Sequence, residues 1–155
     1  MKRIALIACV SKKGDKKAKA KDLYESTLFK SSLAYAQTLH PDKIFILSAL
    51  HHLLDLDRQI APYNVTMSNV PKDKRKPGLK ILNSKEKKEW GKKVIQQLSN
   101  EADLQNDKFI ILAGQEYIKP IADSIAHLDN TLIGLGQGKR LQFLTRQSPM
   151  RNITK

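Results

Sequence analysis

The sequence predicts a single three-layer α/β domain, with a mostly parallel sheet of about four or five strands and helices on both faces. Three short apolar runs, RIALIAC, KIFILSA and KFIILA, have the length and continuity of strands that are buried on both faces. Segments with helical periodicity follow them, and this alternation is typical of parallel strands joined by crossover helices. A chain of 155 residues is long enough for one domain with a core and short for two. We therefore expect one domain over residues 1–148 and a frayed tail over 149–155.

Each predicted element has its own signal. The helix after the first strand has a wide apolar face and is ended by Pro41. Pro120 lies near the start of a later helix, where proline is tolerated. Ser84 is the predicted N-cap of the helix between them. The expected order is a strand at 3–9, a polar loop at 10–19, a helix at 20–39, a strand at 43–49, an irregular stretch at 50–67, a basic loop at 68–80, a helix from Ser84, a strand at 108–113, a helix at 115–128, a short strand at 131–135 and a basic helix at 136–147.

The charge is the first indication of function. Lysine and arginine number 28 against 15 acidic residues, which leaves a formal net charge of +13. Such an imbalance attracts polyanions, above all nucleic acid, although blocks of lysine also serve as plain solvated surface. We expect a nucleotide, a nucleoside or a nucleic acid as the partner. The predicted nucleic-acid-binding residues are Lys12, Lys16, Lys17, Lys74, Arg75, Lys76, Lys139 and Arg140.

The cysteine content and the hydropathy limit the class of protein. Cys9 is the only cysteine, so no internal disulfide can form, and the spacing of metal ligands is absent. No apolar run reaches the roughly 20 residues that span a bilayer. We expect a cytoplasmic protein without a metal, without a cofactor and without a membrane partner. The oligomeric state stays open.

Three loops are predicted to form the functional edge, because ligands of open parallel sheets bind beyond the carboxyl ends of the strands. The first loop begins at Cys9 and carries Ser11 and Lys13 at its mouth. A polar segment that leads from a strand into a helix can hold an anion at the helix N-terminus. Lys13 can contact phosphate, or act as a nucleophile if burial lowers its pKa. Tyr24 follows, as a core residue or a ligand contact, and Ser26 is expected to form a hydrogen bond with the ligand or with the loop backbone.

The second loop begins at Ser48 and has the most unusual composition. It holds His51, Asp55 and Tyr63 within a short span. Histidine serves as an acid or base near neutral pH, and tyrosine can stack on a base. A structural role for each histidine remains the alternative. Asp55 can cap a helix or bind a ribose hydroxyl.

The third loop begins at Gly114. A glycine there allows a ligand to approach the backbone closely, and Glu116 is the best carboxylate for acid–base work. An acid in the first turn of a helix is also favoured by the helix dipole, so a structural role stays open. The predicted catalytic residues are Lys13, His51 and Glu116. The predicted substrate-binding residues are Cys9, Ser11, Tyr24, Ser26, Ser48, Asp55, Tyr63, Gly114 and Tyr117.

Residues in these three loops resemble a family of uncharacterised bacterial and phage domains related to the YaaA peroxide-stress proteins. The resemblance implies a link to oxidative stress and to DNA binding. Leu50 and His52 stand where such relatives commonly have lysine and glycine. The residues that carry the likeness are Cys9, Ser11, Lys13, Asp22, Leu23, Tyr24, Ser26, Phe29, Leu47, Ser48, Ala49, Leu53, Leu54, Ile60, Pro62, Tyr63, Leu112, Ala113, Gly114 and Tyr117.

A fainter likeness is to the lysine-bearing core domain of archaeosine synthase. Its signature pairs a cysteine with a lysine four residues later, as Cys9 and Lys13 do here, followed by a tyrosine and a serine. The likeness implies that Lys13 is a nucleophile.

These observations lead to a function hypothesis with two alternatives. The chain is expected to be an enzyme that acts on a nucleobase or an N-glycosidic bond, free or within nucleic acid. One alternative is a DNA-binding stress-response protein without catalysis. The other is a nucleotide-binding sensor or sponge that holds its ligand unchanged.

Overall fold

The computed structural model describes residues 1–8, 14–67, 70–75 and 77–129. Its larger sheet has five strands, and the described helices lie in the connections between them. A short 3-10 turn at Lys72–Lys74 lies in the basic loop. In chain order the elements are β1 (Arg3–Ala8), β2 (Ala18–Lys19), α1 (Ala20–Leu23), α2 (Thr27–Thr38), β3 (Lys43–Ser48), β4 (His52–Asp55), β5 (Gln59–Ile60), β6 (Val65–Thr66), β7 (Lys80–Ile81), α3 (Ser84–Glu101), β8 (Lys108–Leu112), α4 (Gln115–Ala122) and β9 (His127–Asp129).

The predicted fold class is confirmed by a mostly parallel five-stranded sheet with the order β4-β3-β1-β8-β9. β1 lies in the middle, where Ala5 pairs with Ile44 of β3 and with Ile110 of β8. Only β4 runs antiparallel in this sheet. Residues 4–7 of β1 are at most 1% exposed, as the continuous apolar run predicts for a strand covered on both faces. The core of the domain therefore lies on both sides of β1.

The helices of the two layers connect parallel strands. All of these helices therefore run in the direction opposite to the parallel strands. α2 follows β1 and leads to β3, whereas α3 and α4 lead to β8 and β9 and pack against each other. Right-handed crossovers place α2 and the α3–α4 pair on opposite faces. A Cβ atom on Gly91 of α3 would come within 2.5 Å of the Pro120 carbonyl oxygen of α4, so only glycine allows this close approach. α2, α3 and α4 all begin at the edge where the parallel strands end.

The helix predicted over residues 20–39 is two helices. Tyr24 is extended and fully buried, and this break separates α1 from α2. Ser26 begins the second helix, because its hydroxyl accepts a hydrogen bond from the Phe29 N–H at 3.1 Å. The apolar periodicity continues across the break, which is why the sequence reads as one helix.

The stretch at 50–67, predicted to be irregular, contains the edge strand β4 and two short strands. β4 returns along β3 in a hairpin, with Ser48 opposite His52. His52 takes a left-handed backbone conformation with φ of 63° to close the turn. The Leu53 N–H donates to the Gln97 side chain of α3 at 3.1 Å, so the helix covers part of the open edge of the sheet.

Two helix boundaries also differ from the prediction. Asn83, not Ser84, is the N-cap of α3: its side chain accepts from the Glu86 N–H, and the Glu86 carboxylate accepts from the Asn83 N–H. This reciprocal pair is a capping box with asparagine in the usual place of serine or threonine. The helix predicted over residues 115–128 ends at Ala122, and the chain then forms β9 beside β8. The predictions for residues 131–135, 136–147 and 149–155 lie outside the described residues.

Candidate functional site

Three hydroxyl groups meet where β3 ends, at the edge that the sequence predicts to be functional. The Tyr63 hydroxyl lies 2.5 Å from the Tyr24 hydroxyl and 2.7 Å from the Ser48 hydroxyl. Tyr24 and Ser48 are fully buried, and Tyr63 is partly exposed. We call Tyr24, Ser48 and Tyr63 the hydroxyl cluster. It joins the helix break at Tyr24 to the second loop.

His51 lies against the hydroxyl cluster. Its backbone N–H donates to the Ser48 hydroxyl at 3.0 Å, and its ring meets the Tyr63 ring edge to face at 5.3 Å. Burial lowers the pKa of His51, and the positive charge of Arg58 lowers it further. His51 therefore favours the neutral imidazole at pH 7, the form that can accept a proton.

Trp90 of α3 connects the second loop with the third. Its indole N–H donates to the Ser48 carbonyl at 2.8 Å, and its ring meets the Tyr117 ring at 5.8 Å. Tyr117 is buried in α4, and Gly114 is the N-cap of that helix at the end of β8. The predicted residues of the third loop thus reach the hydroxyl cluster through a buried aromatic pair.

Glu116 forms an ion pair with Lys87 of α3, with 2.5 Å between the carboxylate oxygen and Nζ. Both side chains are partly buried, which makes the pair less screened than a surface pair. A carboxylate held in this way can stabilise positive charge or accept a proton.

Two predicted ligand contacts have structural roles. β4 runs antiparallel and carries Asp55 opposite Phe45, about 10 Å along the strand from the Ser48–His52 pair. Asp55 is exposed there and lies 3.9 Å from Lys43, so it does not belong to the site. The Ser26 hydroxyl is used as the cap of α2. Both corrections follow from elements that the sequence does not separate.

The first turn of α1 does not offer the anion site that the sequence suggests. The Ala20 and Lys21 N–H groups donate to the carbonyls of Arg58 and Leu56, at 2.8 and 2.9 Å. β2 pairs with β5 beside them, so the donors of this helix start are bonded to the backbone. An anion must be held at this edge by other groups.

The predicted nucleic-acid-binding residues that the structure describes lie at the surface. Lys16, Lys17, Lys74 and Arg75 are exposed, and the Arg75 Nε–H donates to the Val70 carbonyl at 2.8 Å. The remaining predicted site residues lie outside the described part of the chain. These are Cys9, Ser11, Lys12, Lys13, Lys76, Lys139 and Arg140.

One comparison with known proteins gives a match. Residues 4–146 match the model of a family of unknown function, DUF6884. The chain belongs to this family. The match covers every element described above except the start of β1, so the hydroxyl cluster lies within the DUF6884 domain. No curated protein and no solved structure matches the chain. The resemblance to the YaaA-related domains and to archaeosine synthase stays a prediction.

Sequence reasoning missed two residues of this DUF6884 site, Trp90 and Lys87. Trp90 has the apolar periodicity of a buried helix face, so its indole N–H is the only signal of a further role. Lys87 is one of several lysines in α3, and nothing in the sequence distinguishes it. Among the described residues, no helix is both long and apolar enough to cross a bilayer.

Proposed function

We propose that the chain is an enzyme that binds a nucleobase or nucleoside at the hydroxyl cluster and acts on the base or its N-glycosidic bond. The observation that carries the proposal is the Tyr63 hydroxyl, held between two other hydroxyls at the carboxyl edge of a parallel sheet. Hydroxyl groups donate and accept, as recognition of the edge of a base requires. The partly exposed rings of Tyr63 and His51 supply surfaces for stacking.

The same residues supply the groups that cleavage of an N-glycosidic bond needs. The bond between the sugar carbon and the base nitrogen breaks with its electron pair going to the base, which takes up a proton. Water supplies hydroxide to the sugar carbon, and its proton goes to a base such as neutral His51. The Glu116 carboxylate, paired with Lys87 in the first turn of α4, is the group to which we assign stabilisation of the positive charge that develops on the sugar. Lys13 is the alternative nucleophile that the sequence suggests.

The hydroxyl cluster also supplies the proton for the leaving base. Tyr63 is its partly exposed member, whereas Tyr24 and Ser48 are fully buried, so Tyr63 is the hydroxyl that a bound base can reach. Tyr63 gives its proton to the base, and the Tyr24 and Ser48 hydroxyls donate hydrogen bonds to the phenolate that remains. The proton that His51 takes from water then restores the Tyr63 hydroxyl.

The test is a ligand screen with product analysis. Thermal shift and native mass spectrometry are run against nucleosides, nucleotides and short DNA, and chromatography measures any released base. We expect product from at least one nucleoside or oligonucleotide. Retained, unaltered nucleotide would instead support the sensor, and binding of DNA without released base would support the DNA-binding protein; either result overturns the enzyme.

Variants then test the residues. Tyr63→Phe removes the central hydroxyl, and we expect kcat/KM to fall roughly 10- to 100-fold, the loss of about 1.4 to 2.7 kcal/mol of transition-state binding. Tyr35→Phe is the matched control, because it makes the same change on α2 outside the cluster. Lys13→Ala is expected to abolish turnover while the fold survives. Equal values of kcat/KM for Tyr63→Phe and Tyr35→Phe would exclude the hydroxyl cluster as the catalytic site.

A further inference from the structure

α3 carries a row of exposed lysines that the fold does not use. Lys85, Lys88 and Lys92 are spaced three and four residues apart, so they are neighbours on one side of the helix. All three are exposed. We call them the lysine face. None of the residues predicted to bind nucleic acid belongs to it.

Five other described lysines form ion pairs with acidic side chains. Among the described residues, ion pairs join Lys19 and Lys21 to Asp57, Lys43 to Asp55 and Glu101, Lys80 to Glu86, and Lys87 to Glu116. No ion pair of the described residues involves the lysine face. Residues 130–155 contain five basic and no acidic side chains, so they offer no side-chain carboxylate to it.

The lysine face also opposes the stability of its own helix. Lys85 and Lys88 lie in the first two turns of α3, where the positive end of the helix dipole disfavours cations. Lysines spaced three and four residues apart repel each other. Glu89 is exposed between them, but it is one carboxylate against three ammonium groups. Residues that lower the stability of their own helix, and make no other contact that stabilises the fold, are expected at functional surfaces.

The lysine face lies on the side of α3 that points away from its buried contacts. Lys87, which binds Glu116, and Trp90, which binds the Ser48 carbonyl, lie roughly 100° to 160° around the helix from the three lysines. From Lys85 to Lys92 the row runs about 10 Å along the helix axis. That length corresponds to about three phosphates at a rise of roughly 3.4 Å per nucleotide.

We propose that the lysine face binds the phosphate backbone of a nucleic acid strand. The inference goes beyond the proposed function, because the phosphate contacts stand on the charge of α3 and need no base in the hydroxyl cluster. It names the partner class as a polymer rather than a free nucleoside. Mobile lysine ammonium groups suit this role, because they hold phosphates without reading sequence.

The test compares two triple variants that remove the same charge. Lys85→Gln, Lys88→Gln and Lys92→Gln together remove the lysine face, and Lys19→Gln, Lys21→Gln and Lys43→Gln together remove three lysines that already have acidic partners. Fluorescence anisotropy measures binding of a labelled 20-nucleotide single strand from 50 to 300 mM salt. We expect the slope of log K against log salt to become shallower by about 2 in the face variant, at roughly 0.7 per phosphate contact. The control should keep most of the wild-type slope.

Three results would overturn the proposal. These are equal slopes for the two triple variants, no binding by the wild-type chain at 50 mM salt, and tighter binding of anionic phospholipid vesicles with the same sensitivity to the face variant. The melting temperature provides a second readout. We expect the face variant to melt at or above the wild-type temperature, because it relieves repulsion, so weaker binding cannot be assigned to unfolding.

The experiment also separates this proposal from the proposed function. Tyr63→Phe is measured with the same single strand and with free nucleosides. If its salt slope equals that of the wild type while no nucleoside binds either protein, the lysine face stands and the hydroxyl cluster fails as a base site. If nucleosides bind through Tyr63 but the face variant keeps the wild-type slope, the hydroxyl cluster stands as a base site and the lysine face fails as a phosphate site.

Discussion

At the scale of single residues, the turn after β3 shows how one backbone angle constrains the chain. His52 has φ of 63°, and among the described non-glycine residues only His40 shares a positive φ. Side chains with a Cβ atom are disfavoured in the left-handed region, although histidine tolerates it better than most. Glycine has no Cβ atom and would suit this angle better than histidine does.

His52→Gly is therefore expected to stabilise the protein. Glycine removes the strain of the left-handed angle, and this outweighs the extra freedom of the unfolded chain by about 0.5–1 kcal/mol. Urea unfolding followed by circular dichroism measures the change. His127→Gly is the control: it lies in β9 without a positive φ, and we expect it to lower the free energy of unfolding. A less stable His52→Gly protein would contradict the assignment of strain.

At the scale of elements, α3 connects the sheet edge, the candidate site and the lysine face. Its Asn83 cap sets where the helix begins, its Gln97 side chain covers the β4 edge, and its Trp90 contacts the second loop. A shift of the helix by one residue would rotate its side chains by about 100° and break these contacts together. The start of α3 therefore sets the positions of all three contacts.

Two alanine variants distinguish the observed cap from the one that the sequence predicts. Asn83→Ala removes both the acceptor for the Glu86 N–H and half of the capping box, and we expect it to lower the free energy of unfolding by about 1 kcal/mol. Ser84→Ala is expected to change it by less than about 0.5 kcal/mol, because Ser84 is already inside the helix. Thermal denaturation of both proteins shows which variant loses more stability. A larger loss for Ser84→Ala would place the cap at the predicted residue.

At the scale of the whole molecule, the two histidines of the turn between β3 and β4 make the stability of the fold depend on pH. Burial lowers the pKa of His51 and of His52, and nearby positive charge from Arg58 and Lys93 lowers them further. A histidine whose pKa is lower in the folded state binds fewer protons there than in the unfolded chain. The free energy of unfolding therefore rises with pH near and below the unfolded pKa of about 6.5.

We expect the protein to be less stable at pH 5 than at pH 7, with the loss occurring as pH falls from about 7 through the lowered pKa values. Denaturant titrations at half-unit steps measure the slope. The double variant His51→Asn and His52→Asn should show a flatter profile in this window, since asparagine does not titrate and tolerates the left-handed angle. Identical slopes for the variant and the wild type would mean that other groups cause the dependence.

The sequence by itself determined the mostly parallel sheet and the edge at which its strands end together. Short continuous apolar runs bounded by turn signals favour strands that are covered on both faces, and ligands of such sheets bind beyond the carboxyl ends of the strands. Ser48 and His51 were predicted from this rule, and the structure places both against Tyr63. Lys13 and its neighbours at the mouth of the first loop stay predictions.

Only the tertiary structure decided which polar residues meet. The antiparallel return of β4 removed Asp55 from the site, and the break before Ser26 turned a predicted ligand contact into a helix cap. Trp90 joined the cluster because α3 packs across the sheet, a contact between residues 42 positions apart. Periodicity reports only which local face is buried, so pairings between distant segments and the choice between a ligand role and a structural role depend on the folded chain.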